Sequence, residues 1–129
     1  MSDVRYVLDA SALLAVMLGE RGAQTVEAHF PDACISAVNL SEVVAKLSER
    51  GVPDESIQEI LSDLDLDVRD FNTAQALRAG ALRIVTRSKG LSLGDRACLA
   101  LAGELDAIAL TTDAAWVDIE LGIAVELAR

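Results

Sequence analysis

Short apolar runs alternate along this chain with longer stretches whose apolar residues recur every three or four positions. That alternation of a strand period with a helix period predicts an α/β domain built on a largely parallel sheet. Val4–Leu8, rich in β-branched and aromatic residues, reads as the first strand, and Ala33–Ser36, Asp67–Phe71, Ala107–Thr111 and Ile123–Glu126 read as later ones. Ser11–Leu18 and Gly22–Phe30 read as helices, broken at Gly19 and stopped by Pro31. A further helix runs from about Val38 to Arg50, with Leu40, Val43, Val44 and Leu47 on one face and Gly51 ending it. Pro53 suits the first turn of the next helix, and Asp54 and Glu55 suit its dipole. Thr73–Thr86 is predicted helical and Ser88–Leu93 a loop. Gly94–Leu105 is apolar nearly all round, which predicts a helix buried between the sheet and its neighbours.

Composition narrows the class. A length of 129 residues with 52% hydrophobic content fits a single domain over residues 1–129 with one sizeable core. No repeat, low-complexity tract or Pro/Gly/Ser linker divides it. The apolar run Ala10–Leu18 follows an acidic rather than a basic start, unlike a signal peptide, and no uncharged stretch is long enough to span a bilayer. Cys34 and Cys98 lie inside apolar segments without metal-ligand spacing, as buried thiols of a reducing compartment would. A cytoplasmic protein with no membrane association is expected.

The net charge of −10 runs against binding a polyanion, but the charge is unevenly spread. Seven acidic residues stand between Asp54 and Asp70 against the single base Arg69. From Phe71 to Gly94 there is no acid, while Arg78, Arg83, Arg87 and Lys89 fall there, and the segment leads into Asp95.

Four acids merit individual reading. Asp9 directly follows the first strand, where it serves equally as a helix cap or as a group at the carboxyl end of a parallel sheet, the edge at which ligands gather. Asp113 repeats the arrangement after Ile108–Thr111; if both strands are parallel, the two acids share one edge. Asp95 stands in the first turn of the most apolar helix, where capping and dipole compensation account for it without any chemistry, although a carboxylate beside a buried helix is costly unless it is paired or bound to a cation. Glu42 lies opposite the Leu40/Val43/Val44/Leu47 stripe and can pair with Lys46, so by periodicity alone it is a surface residue. Acids without a His or Cys cluster suit hard divalent cations such as Mg²⁺ and Mn²⁺, and converging carboxylates are stable mainly when a cation neutralises them. Two such ions about 3.5–4 Å apart would serve phosphodiester cleavage.

The motifs themselves carry a resemblance. Val7-Leu8-Asp9-Ala10-Ser11-Ala12-Leu13-Leu14 with Glu20 behind it resembles the first motif of PIN domains, and Ser36 followed by Glu42 is similar to the second. Leu91-Ser92-Leu93-Gly94-Asp95-Arg96-Ala97-Cys98-Leu99-Ala100-Leu101-Ala102 resembles the third motif of bacterial VapC-type toxins, and Thr111-Thr112-Asp113-Ala114-Ala115-Trp116 resembles the fourth. The resemblance covers almost the whole chain in order. It implies a three-layer α/β/α PIN-like fold with a mainly parallel central sheet of four to five strands. It also implies a Mg²⁺- or Mn²⁺-dependent ribonuclease, usually dimeric, that cleaves tRNA, rRNA or mRNA and is silenced by a cognate antitoxin. Carried over by position, Asp9 and Asp95 are the principal metal ligands, Glu42 and Asp113 complete the catalytic pocket, and Ser11, with Thr112 as a lesser candidate, supplies a hydroxyl near the metal.

For the RNA backbone the candidates are Arg78, Arg83, Arg87 and Lys89, with Arg96 beside the pocket; each is also readable as part of a solvated helix face. The acidic stretch Asp54–Asp70 keeps the surface soluble or attracts a basic antitoxin segment. His29 is given no role, and Trp116 is read as a packing residue. The main rival is a catalytically silent PIN-like module that engages a protein partner. Other acid-rich α/β enzymes fit less well. A haloacid-dehalogenase phosphatase wants Asp-x-Asp where Ser11 stands, a proofreading exonuclease wants Asp-x-Glu there, and a response-regulator receiver wants a late Lys that Lys46 and Lys89 do not supply.

Overall fold

The computed structural model describes residues 4–116 and 118–129. Five strands, β1 (Tyr6–Leu8), β2 (Ala33–Ser36), β3 (Asp67–Arg69), β4 (Ile108–Thr111) and β5 (Val125–Leu127), form one sheet in the order β3-β2-β1-β4-β5. All four pairings are parallel. Six α-helices connect them: α1 (Ala10–Leu18), α2 (Ala23–Ala28), α3 (Ala37–Glu49), α4 (Asp54–Leu64), α5 (Thr73–Thr86) and α6 (Leu93–Leu105).

The period-2 alternation of the strands decides which helix covers which face. Leu8 is in register with Ile35 and Leu110, and these three meet Leu13 of α1, Val26 of α2, Val43 and Leu47 of α3, and Ile57 of α4 in one core. Their strand neighbours Val7, Cys34 and Ala109 point the opposite way, onto Cys98, Leu101 and Ala102 of α6 and onto the fully buried Trp116. Two cores on opposite faces of one sheet make three layers, as the motif resemblance implies. Trp116 is a packing residue, and both cysteines are buried and unpaired. Burial pushes the Cys34 thiol up to about 12 and also raises that of Cys98 well above its ordinary value. Among the described residues no helix is long and apolar enough to cross a membrane.

Some boundaries differ from the sequence expectation. The first strand pairs only from Tyr6, and the third only over Asp67–Arg69, where the Arg69 guanidinium grips Asp67 with bonds of 2.8 and 2.9 Å. The second helix stops at Ala28, and Pro31 instead sits in a 3₁₀ turn over Phe30–Asp32. Pro53 is the N-cap of α4 rather than its first helical residue, because its backbone is still extended at ψ 146. The last strand lies two residues further on than expected at its start, at Val125–Leu127. Gly22, at φ 95, lets the start of α2 meet the C-terminal strand, since a Cβ there would collide with the Ala128 carbonyl.

The chain steps from β1 to β2 and β3 on one side of the sheet, then places β4 and β5 on the other. The carboxyl ends of β1 and β4 therefore flank a topological switch point, where an open parallel sheet offers a crevice.

Candidate functional site

Asp9 leaves the end of β1 and remains in the ladder, its N–H donating to the Leu110 carbonyl at 3.1 Å. Its backbone is extended, so the side chain folds over the start of α1 and Oδ1 accepts the Ala12 N–H at 2.8 Å. A cap is therefore part of its work. The rest of its environment exceeds what a cap requires. The Thr111 hydroxyl donates to Oδ2 at 2.6 Å, and the Ser11 hydroxyl donates to both oxygens, at 2.7 and 2.9 Å. Asp9 is 2% exposed, and burial pushes its carboxyl up to about 6, against the opposing pull of Thr111, Ser11 and the Ala12 N–H and with a further push from the charge of Asp95.

Ser11 and Thr111 also stitch β1 to β4. Ser11 Oγ accepts the Thr112 N–H at 3.0 Å, and Thr111 Oγ1 accepts the Asp113 N–H at 2.9 Å. The hydroxyl that reaches Asp9 from β4 is thus that of Thr111, and Thr112 takes part through its backbone instead. The correction follows from alternation: Thr111 is fully buried at the strand end, while the next residue points away. Asp113 lies just beyond on the exposed rim, its Oδ1 accepting the Ala115 N–H at 2.9 Å.

The remaining two acids come from helices on either side. Asp95 forms a reciprocal capping box with Ser92: its Oδ2 accepts the Ser92 N–H at 3.0 Å while its own N–H donates to Ser92 Oγ at 3.2 Å. Glu42 stands in the second turn of α3. It is half-buried, not on an open face, because the first turn of α6 is laid against it. A Cβ on Gly94 would collide with the Glu42 carboxylate, so only glycine permits this approach. Asn39 Nδ2 donates to Glu42 Oε1 at 2.9 Å and to the Gly94 carbonyl at 2.9 Å. Beside Glu42 a cleft of about 520 Å³ opens between the first turns of α3 and α6.

Burial raises both Glu42 and Asp95 above the ordinary carboxylate range. The charge of Asp95 pushes Glu42 further up, and that of Asp113 does the same to Asp95; Asn39 and Lys46 pull Glu42 down, while Ser92 and Arg96 pull Asp95 down. Asp95 is thus felt by Asp9 and Glu42 and itself feels Asp113. It is the acid that links the other three, and they are not drawn into a tight cluster. Among the described residues no three His, Cys, Asp or Glu side chains stand at metal-ligand spacing. Like charges repel, and each carboxylate is held by its own local N–H or O–H donors. The donor set is entirely oxygen, which suits a hard divalent cation, and the raised proton affinities of Asp9, Glu42 and Asp95 are those of groups a cation would stabilise in the ionised form.

The basic residues occupy a different place. Arg78, Arg83, Arg87 and Lys89 are all exposed, on α5 and the 3₁₀ turn that follows it. Arg96, next to Asp95 and pulling its carboxyl down, donates from Nη1 to the Ala79 carbonyl at 2.9 Å and so ties α6 to α5. His29, given no role from sequence, stacks on Tyr6 with ring centroids 3.9 Å apart and lies 3.6 Å from a Glu126 carboxylate oxygen. Two participants escaped the sequence reading. Thr111 was legible as the last inward residue of its strand, but nothing marked Asn39, whose importance depends on a helix 55 residues away.

Known proteins share the sequence family and the fold. Residues 6–120 match the family described as PIN domain. Over 106 residues the chain is 33% identical to a Mycobacterium tuberculosis protein named Ribonuclease VapC42, an alignment covering 74% of this chain and 81% of that protein. Among solved structures, a chain of the DNA-bound VapBC from Salmonella typhimurium superposes with a TM-score of 0.76 at 19% identity, covering 98% of this chain and 99% of that one. A chain of a toxin-antitoxin complex from Klebsiella pneumoniae gives 0.73 at 24% identity, covering 96% and 98%.

Proposed function

This chain belongs to the PIN-domain family, and from that premise we propose that it is a divalent-metal-dependent endoribonuclease, the toxin of a toxin–antitoxin pair. The observation that supports the reading is that Asp95 acts electrostatically on Asp9 and on Glu42 and is acted on by Asp113, four acids that come from four separate segments. Asp9 and Asp95 are the principal holders of Mg²⁺, or of Mn²⁺ in its place, and Glu42 and Asp113 complete the pocket directly or through water. Such an ion, when bound, activates water and stabilises the leaving oxygen of a phosphodiester.

The chain's own residues prepare that chemistry. Ser11 and Thr111 fix the orientation of Asp9 and hold β1 and β4 at a constant separation around it. Burial of Asp9 excludes water from one side, so its carboxylate acts in a medium where charge interactions are stronger. Asp113, exposed on the rim, is the acid an entering RNA backbone meets first. Arg78, Arg83, Arg87 and Lys89 supply the countercharge for that backbone from α5 and the turn beyond it. The relatives' names support an RNA substrate, and the structural neighbours support an antitoxin partner. A homodimer is supported by the outward ridge of α5, where Leu77 is 72% exposed, Ile84 68% and Val85 57%. A cytoplasmic location accords with these partners.

The test is cleavage of mixed cellular RNA by purified, partner-free protein, with Mg²⁺ or Mn²⁺ and with chelator. Asp9→Asn and Asp95→Asn are each expected to lower metal-dependent cleavage by more than about 100-fold, beyond what changes in merely supporting groups around a metal cause. Folded protein that binds Mn²⁺ yet leaves every RNA intact would replace this reading by that of a silent module engaging a protein partner.

A further inference from the structure

Asn39 lies in the first turn of α3, three residues before Glu42, and is fully buried. Both hydrogens of its amide are directed. One goes to Glu42 Oε1 and one to the Gly94 carbonyl, each at 2.9 Å. Both partners are acceptors, so only the nitrogen of the amide can face them and its orientation is chemically fixed. The other end of the amide gains nothing from its surroundings: Oδ1 is buried and has no hydrogen-bond partner among the described residues. A half-satisfied buried amide is a poor core residue, and an apolar side chain of similar size would fill the space without that cost. What Asn39 does contribute is the pair of bonds on its nitrogen, and those bonds do not serve α3 alone. They reach from Glu42 on α3 to the residue immediately before Asp95 on α6. Gly94 completes the arrangement, because the Glu42 carboxylate rests where any other residue would place its Cβ.

We propose that Asn39 is a positioning residue. By holding the Glu42 carboxylate against Gly94, it sets the spacing between the acid of α3 and the acid of α6, so that both can face one divalent cation. The inference rests on the reading of these acids as a metal site. Asn39 itself touches neither ion nor RNA. It acts through Glu42, and that distinguishes it from a residue that merely packs two helices together.

The experiment measures Mn²⁺ affinity of the chelator-stripped full chain by electron paramagnetic resonance, for wild type, Asn39→Leu, Glu42→Gln and the double variant, with thermal unfolding alongside. Asn39→Leu is expected to keep or raise Tm while weakening Mn²⁺ binding about tenfold, the scale seen when groups supporting a metal ligand are removed. In the Glu42→Gln background the same change should cost nothing further, since the carboxylate it positions is gone. Should Asn39→Leu not fold, Asn39→Ser, which fits in any space Asn fills, carries the same comparison. Unchanged Mn²⁺ affinity, or a loss that adds in full to that of Glu42→Gln, overturns the positioning role alone. A wild-type chain without Mn²⁺ affinity overturns the metal-site reading and this inference with it.

Discussion

Helices α5 and α6 lie side by side and draw on much the same aliphatic residues, yet they use them in opposite ways. In α6 every residue from Ala97 to Ala102 is buried, since the sheet covers one side and α5 the other. In α5 the buried residues are Gln75, Ala79 and Thr86, while Leu77, Ile84 and Val85 face outward. The small residues of α6 let α5 approach closely, with Arg96 bonded to the Ala79 carbonyl, and that contact asks for small or polar groups rather than bulk. The difference teaches that apolar content marks a helix for burial only when something lies on both sides of it. The same layering places chemistry. A helix gripped on two sides can hold Asp95 in a fixed position, whereas an outer helix can present charges and an apolar ridge to partners.

The comparison can be broken at its strongest point first. Leu99→Ala in α6 should destabilise the fold by about 2–5 kcal/mol, and Leu77→Ala in α5 by no more than about 0.5 kcal/mol in the monomer. Denaturant unfolding at low protein concentration reads both, and equal losses would dissolve the distinction between the helices. Gly94→Ala comes next. Alanine favours a helix by up to about 1 kcal/mol, so Tm should hold or rise, while the collision with Glu42 should lower RNA cleavage about tenfold or more. Retained activity would mean that the Glu42–Gly94 contact is not needed.

A third outcome concerns pH. The Asp9 carboxyl is raised from 3.8 to about 6 in the folded chain, so its proton is held more tightly folded than unfolded. The associated stability is full below about pH 4 and is lost as pH rises through 6, a contribution of up to about 3 kcal/mol. Chelator-treated protein should therefore unfold at a lower temperature at pH 7.5 than at pH 5, and Asp9→Asn should flatten that slope. A slope unchanged in the variant would assign the effect elsewhere. The smallest effect is reserved for the exposed bases. Arg83→Glu with Arg87→Glu should weaken RNA binding and reduce its salt slope by roughly 2, with Tm unchanged. A salt slope identical to wild type would remove α5 and its following turn from the RNA path.

Much of this could be read in the residues. The alternating periods gave away the element order, and the buried character of α6 followed from its lack of a polar face. Asp9 and Asp113 could be set on one edge as soon as their strands were taken as parallel. Their settings were not so accessible. Glu42 sits opposite the apolar stripe of its own helix, which by periodicity alone makes it a surface residue; it is half-buried because Gly94 of α6 admits it. Thr111 and Thr112 are adjacent and chemically alike, and only the sheet's pleat turns the first toward Asp9. Arg96 looks like a free base beside an acid until α5 is laid over it.

What the sequence determined by itself are features that repeat or act within a turn or two: strand and helix periods, the cap at Asp9, and the family motifs. Local geometry follows from backbone sterics and from groups a few residues apart, and both are written in order along the chain. Only the tertiary structure decided which acids share a field, that Asn39 bridges two helices, and that α5 turns its apolar ridge outward. Those outcomes depend on what lies opposite a residue across a packed interface, and no period or spacing along the chain encodes the other side of that interface.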